Sequence, residues 1–109
     1  MAAERDILRR TLEQLGYAVT ATEDGREALE LFNRQGADLI ISDIQMPNMN
    51  GLELLRTIRE RGQNVPFIIL TGFDTSEARN KASAYHATAL LVKPFRMQHL
   101  RSILDSTFK

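Results

Sequence analysis

The sequence contains no cysteine. Disulfides, thiolate metal sites and a cysteine nucleophile are excluded on that ground. It also lacks an excess of either charge, since 14 Lys plus Arg stand against 14 Asp plus Glu. A chain that holds nucleic acid by bulk electrostatics shows a basic surplus, so no direct nucleic-acid binding is expected. Long hydrophobic runs are missing. The longest cover residues 39–41, 67–70 and 89–92, whereas a membrane-spanning helix needs about 18 or more. The opening Met1-Ala2-Ala3-Glu4-Arg5-Asp6 is charged at once and does not read as the apolar stretch of a secretory leader. The expectation is a cytoplasmic protein with no membrane partner. There is no glycine-rich phosphate loop, which argues against nucleotide binding, and no internal repeat, low-complexity stretch or linker.

What is present describes an ordinary globular domain. The 109 residues are 43% hydrophobic and 26% charged, a composition that folds rather than stays disordered. A chain of this length makes one domain and buries roughly two thirds of its unfolded surface.

Helical stripes alternate with short apolar runs. Leu8, Leu12 and Leu15 predict a first helix over about 3–15, which Gly16 ends. Tyr17 to Thr22 reads as a strand on its aromatic and β-branched content. Asp24 caps a second helix, opened by Gly25, striped by Ala28, Leu29 and Phe32 and closed by Gly36. Leu39-Ile40-Ile41 is the next strand. Asn50 with Glu53 three residues on is an Asn-headed capping box for a helix carrying Leu52, Leu55 and Ile58, ended by Gly62. Phe67 to Leu70 is a strand, about 76–85 a polar and Ala-rich helix, Ala89 to Val92 a strand, and about 97–108 a final helix with Leu100, Ile103 and Leu104 inward.

The runs at 39, 67 and 89 are apolar on successive residues, the pattern of strands covered on both faces. Strand and helix alternation gives the α/β class, as an open doubly wound parallel sheet, because four strands do not close a barrel. Such sheets bind ligands beyond the carboxyl ends of their strands. The polar residues at those ends are Asp43, Thr71 and Lys93. A carboxylate, a hydroxyl and an ammonium on one rim suit phosphoryl transfer onto the carboxylate. Asp43 would be the nucleophile, Lys93 a counter-charge for phosphoryl oxygens and Thr71 a hydrogen-bond donor. Taken singly, Asp43 is a turn residue, Lys93-Pro94 a turn and Thr71-Gly72 a strand end. Their convergence carries the reading. His86 and His99 read as surface residues, and Met46 and Met49 as gap fillers.

The same stretches resemble a family. Glu23-Asp24-Gly25 with Glu27-Ala28-Leu29, Asp38-Leu39-Ile40-Ile41-Ser42-Asp43-Ile44-Gln45-Met46-Pro47, Asn50-Gly51-Leu52-Glu53, Pro66-Phe67-Ile68-Ile69-Leu70-Thr71-Gly72 and Lys93-Pro94-Phe95 stand in the order and spacing of the receiver domain of two-component response regulators. The resemblance implies a flavodoxin-like fold and a phosphorelay role over residues 1–109. A histidine kinase or phosphotransfer protein would give its phosphoryl group to Asp43. It makes Thr71 the switch hydroxyl, Lys93 the lysine that meets the phosphoryl group, the Gln45 backbone carbonyl a magnesium ligand beside Asp43, and Lys93–Pro94 a cis peptide. The implied protein is not an enzyme, and its output face would include Leu90, Arg96 and Met97.

Three departures accompany the resemblance. The family's first, central strand and the acidic pair that helps hold magnesium are absent from the given chain, so the metal site is expected to be incomplete. Glu4 and Asp6 lie on the first helix and align with neither acidic position. The open sheet then invites a homodimer. Leu90 stands where the family usually has an aromatic ring, and His86 stands where Gly is common. The alternative is a degenerate receiver that binds proteins without being phosphorylated. A phosphatase is disfavoured because Gln45 occupies the position of its second Asp.

Overall fold

The computed structural model describes the backbone of residues 2–108 and the side chains of 5–108. The Glu4 side chain therefore lies outside the described residues. Among the described residues five helices and three strands follow in the order α1 (Ala2–Gln14), α2 (Gly25–Gln35), β1 (Ile40–Asp43), α3 (Gly51–Glu60), β2 (Phe67–Thr71), α4 (Ser76–Ala84), β3 (Ala89–Val92) and α5 (Met97–Thr107). The strands form one sheet in the order β1-β2-β3. Both pairings are parallel, with Asp43 opposite Leu70 and Thr71 opposite Val92. This is the open α/β sheet that the uninterrupted apolar runs predict.

β2 is the centre of the molecule. All five of its residues are buried, and Phe67, Ile68 and Ile69 are fully sealed from solvent. Its side chains alternate between two cores, as a strand's must. Phe67 and Ile69 pack with Leu52, Leu54, Leu55 and Ile58 of α3 and Ala82 of α4, beneath Ala28, Leu29 and Phe32 of α2. Ile68 and Leu70 pack on the other face with Leu12 of α1, Leu91 of β3, and Leu100 and Leu104 of α5. Burial of one such side chain contributes about 1.5–3 kcal/mol, so three layers of helix, sheet and helix hold the strand ends in register.

Helix ends follow from the sequence. Asp24 accepts from the amides of Arg26 and Glu27. Asn50 and Glu53 complete a reciprocal capping box. Thr75 caps α4 through the amide of Ala78. Gly16 and Gly62 close α1 and α3 at positive φ, 99° and 78°. In each the next two amides return to the last turn, Gly16 to Glu13 and Tyr17 to Leu12, Gly62 to Arg59 and Gln63 to Ile58. α4 ends with the same pattern, His86 to Ser83 and Ala87 to Ala82, but the left-handed position is held by His86 at φ 62°.

One expectation is corrected. Residues 17–22 do not form a strand. Their alternation is real, since Tyr17 and Val19 turn toward the α1/α5 core while Ala18 and Thr20 are exposed. A strand is defined by its ladder, and no partner among the described residues supplies one. β1 is consequently an edge. Its Ile40 and the following Ile44 donate to Pro66 and Leu70. By the alternation of a parallel ladder, the amides of Ile41 and Asp43 face away from the sheet. Both Ile40 and Ile41 are only half-buried for the same reason.

Candidate functional site

The three rim residues are brought together by the register. Asp43 ends β1, Thr71 ends β2, and Lys93 follows β3 directly. The Lys93 amide donates to the Thr71 carbonyl at 2.7 Å, which ties the third strand's exit to the second. The Lys93–Pro94 peptide is cis, as the resemblance implies. Lys93 Nζ stands 2.6 Å from Asp43 Oδ1. Among the described residues no hydrogen-bond donor is aligned on that oxygen, which is shut off from solvent, and the Lys93 ammonium supplies the positive charge beside it. The Asp43 side chain as a whole keeps 38% exposure, so the carboxylate is approachable from the solvent side.

Thr71 is buried, and its hydroxyl is engaged twice by one residue. Oγ1 donates to the Phe73 carbonyl and accepts from the Phe73 amide, both at 3.0 Å. Phe73 itself stands out in solvent at 64% exposure.

The segment 44–50, which carries Gln45, is shaped by neighbours on both sides. Gly51 donates to the Ile44 carbonyl at 2.7 Å. A Cβ on Gly51 would lie 2.1 Å from the Asp43 carbonyl oxygen, so only glycine admits this approach. Gly25 donates to the Pro47 carbonyl, and a Cβ there would meet the Met49 carbonyl oxygen at 1.8 Å. Ser42 Oγ donates to the Asp43 carbonyl at 2.8 Å. Asn48 adopts φ 66° and its amide nitrogen donates to Asp24 Oδ2. The Glu27 amide, the Asn48 side chain and the Arg26 amide hold the Asp24 carboxyl below the usual carboxylate range. The Asp24 cap is legible in the sequence. Its tether to Asn48 and the two glycine contacts are not. An Asn two residues before Asn50-Gly51 in a loop is the available signal, because Asn tolerates the left-handed region.

For magnesium, the described residues offer the Asp43 carboxylate and the Gln45 carbonyl. The ion favours one or two carboxylates with waters and phosphate oxygens. Among the described residues no group of three or more His, Asp or Glu side chains could hold a metal, and one Asp43 oxygen already meets Lys93. Asp24 is committed to its helix cap. Asp6 lies on α1 beside Arg9, 3.9 Å away. Asp43 and Gln45 thus offer one carboxylate and one carbonyl toward such an ion, with waters and phosphate oxygens left to complete its shell. Leu90 is half-buried against the α3 core, Met97 is half-buried, and Arg96 is exposed at the start of α5.

Comparison with known proteins places this geometry. The response regulator receiver domain family matches residues 2–105, and the chain belongs to that family. The response regulator MprA of Mycolicibacterium vanbaalenii is 38% identical over 98 residues, which cover 90% of this chain and 42% of that protein. The chain spans less than half the length of the curated relatives it matches. Among solved structures, the Vibrio cholerae chemotaxis protein CheY4 superposes with a TM-score of 0.87 at 35% identity, covering 97% of this chain and 90% of its own. The receiver domain of the sensor histidine kinase PA1611 from Pseudomonas aeruginosa PAO1 has a TM-score of 0.83 at 30% identity, over 97% and 88% of the two chains. That structure has a magnesium ion coordinated in its active site cleft. The chain is thus a two-component receiver domain. No described helix is long and apolar enough to cross a membrane.

Proposed function

We propose that this receiver accepts a phosphoryl group on Asp43 from a phosphohistidine of a kinase or phosphotransfer protein. The observation that carries the reading is the 2.6 Å approach of Lys93 Nζ to Asp43 Oδ1, at the carboxyl ends of parallel strands where such sheets bind ligands. A carboxylate oxygen of Asp43 attacks phosphorus. The bond from phosphorus to the donor nitrogen breaks, and its electron pair leaves with the donor imidazole, which takes up a proton. Lys93 moves its charge from the carboxylate to the phosphoryl oxygens. Thr71 turns its one hydroxyl proton from the Phe73 carbonyl to a phosphoryl oxygen. The change then biases an output face at Leu90, Arg96 and Met97. The protein is a cytoplasmic signalling module rather than an enzyme.

Peptide mapping after borohydride reduction tests the site. Reduction converts an aspartyl phosphate to homoserine. Homoserine at position 43 supports the reading, and a phosphorylated sample with unmodified Asp43 contradicts it.

Two observations favour further readings. Among the described residues Asp43 is the one carboxylate that ends a strand at the rim, which fits a degenerate receiver that acts through protein contacts alone; a folded sample that never accepts phosphate supports that alternative. The unpaired edge of β1 fits a homodimer through the open sheet. Light scattering across a range of concentrations checks it, and a monomer throughout rejects it.

A further inference from the structure

We infer that the Asp24–Asn48 pair is a positioning element for the Asp43 site, holding the segment after the acceptor against the first turn of α2. The inference rests on the phosphoacceptor reading above. Segment 44–50 has little regular structure of its own, and its shape is imposed from outside. At its far end Gly51 returns to the Ile44 carbonyl at 2.7 Å and packs on the Asp43 carbonyl. In its middle, Gly25 of α2 donates to Pro47 at 3.2 Å and leaves no room for a Cβ beneath Met49. Between these two close backbone approaches stands Asn48, the segment's one non-glycine residue at positive φ.

Asp24 divides its carboxylate between two tasks. Oδ1 accepts from the Arg26 amide at 2.8 Å and from the Glu27 amide at 3.1 Å. Oδ2 accepts from Asn48. The residue that starts α2 therefore also fixes the conformation of the segment. α2 is anchored in turn, since Ala28, Leu29 and Phe32 pack on the α3 core. The chain of contact runs from that core through α2, Asp24 and Asn48 to the backbone that carries Asp43. Both side chains act through that backbone, so they are positioning residues rather than catalytic ones.

The pair can be broken and rebuilt by exchange. Asn48→Asp sets two carboxylates against each other. The double variant Asp24→Asn with Asn48→Asp restores a donor and an acceptor, keeps the parent's net charge, and retains an oxygen for the α2 cap. Asn48→Gly removes the tether while accommodating the positive φ. Labelling rates with acetyl phosphate in magnesium buffer, read by intact mass, are compared with melting temperatures. The expected result is a rate about tenfold lower in Asn48→Asp and in Asn48→Gly, the scale on which small misplacements act. The double variant should return to within about twofold of the parent, and Asn48→Gly, whose backbone fits the positive φ, should stay fully folded at the assay temperature. A fold-stabilising role alone would make rate follow melting temperature and would leave Asn48→Gly fully active. Parent-like labelling of both single variants overturns the inference, as does a double variant no faster than Asn48→Asp. A parent that takes no phosphoryl group overturns the phosphoacceptor reading and this inference together.

Discussion

Lys93 Nζ and Asp43 Oδ1 meet at 2.6 Å across the end of β2, so the two outer strands are joined by charge at the carboxyl-end rim, where open α/β sheets bind their ligands. The side chains are 24% and 38% exposed, and solvent screens part of the attraction. Lys93→Met should therefore change stability by no more than about 1 kcal/mol. Labelling with acetyl phosphate should fall at least about tenfold, because the developing phosphoryl charge loses its fixed cation. Denaturation midpoints and labelling rates measured on one preparation separate the two effects.

Three helices end with the same pair of returning amides, two with glycine in the left-handed position and the third with His86. The cost of a side chain there is about 1–2 kcal/mol, offset by the greater unfolded-state entropy of glycine. His86→Gly should raise stability by about 0.5–1 kcal/mol, seen as a higher urea midpoint. Arg59 partly compensates the native chain, with Nε and Nη2 at 3.2 and 3.1 Å from the His86 carbonyl. Arg59→Ala should lower the midpoint in the otherwise native chain.

Gly51→Ala should be poorly tolerated. Its Cβ would stand 2.1 Å from the Asp43 carbonyl oxygen and 2.9 Å from Ser42 Oγ. Backbone must move, at a cost of about 1–3 kcal/mol, and what moves is the Asp43 main chain. Both the urea midpoint and the labelling rate should drop. Gly72→Ala is the control, since nothing lies within 4 Å of its added Cβ.

Acid stability should respond to Asp24. Its carboxyl is held below the ordinary aspartate range in the folded chain, chiefly through the Glu27 amide and then through Asn48. A depressed carboxyl contributes stability above its unfolded value and loses it as pH falls through the folded one. The native protein should lose stability more steeply below pH 3.8 than Asp24→Asn, which keeps the helix cap but no longer titrates. Equal slopes in chemical denaturation series would contradict this.

Much of the architecture is legible in local chemistry. The apolar runs at 39, 67 and 89 locate the strands, the Asn50–Glu53 pair starts α3, and the polar residue after each run lies on the rim. The segment 17–22 misleads, because alternation reports which side chains face a core and not whether a ladder partner exists. The Asn48 tether is a tertiary side-chain contact and the Gly25 and Gly51 contacts are close approaches between backbones, and no local pattern encodes the neighbour. His86 is the reverse case. A residue in a glycine's place signals a left-handed position, and the backbone there is left-handed.

Transfer of a phosphoryl group to Asp43 is the step to test first. The direct measurement is the intact mass after incubation with acetyl phosphate and magnesium, with Asp43→Asn alongside. The expected result is a gain of one phosphoryl group on the parent and none on the variant. A folded parent that gains nothing, or a variant that gains as much, would contradict it.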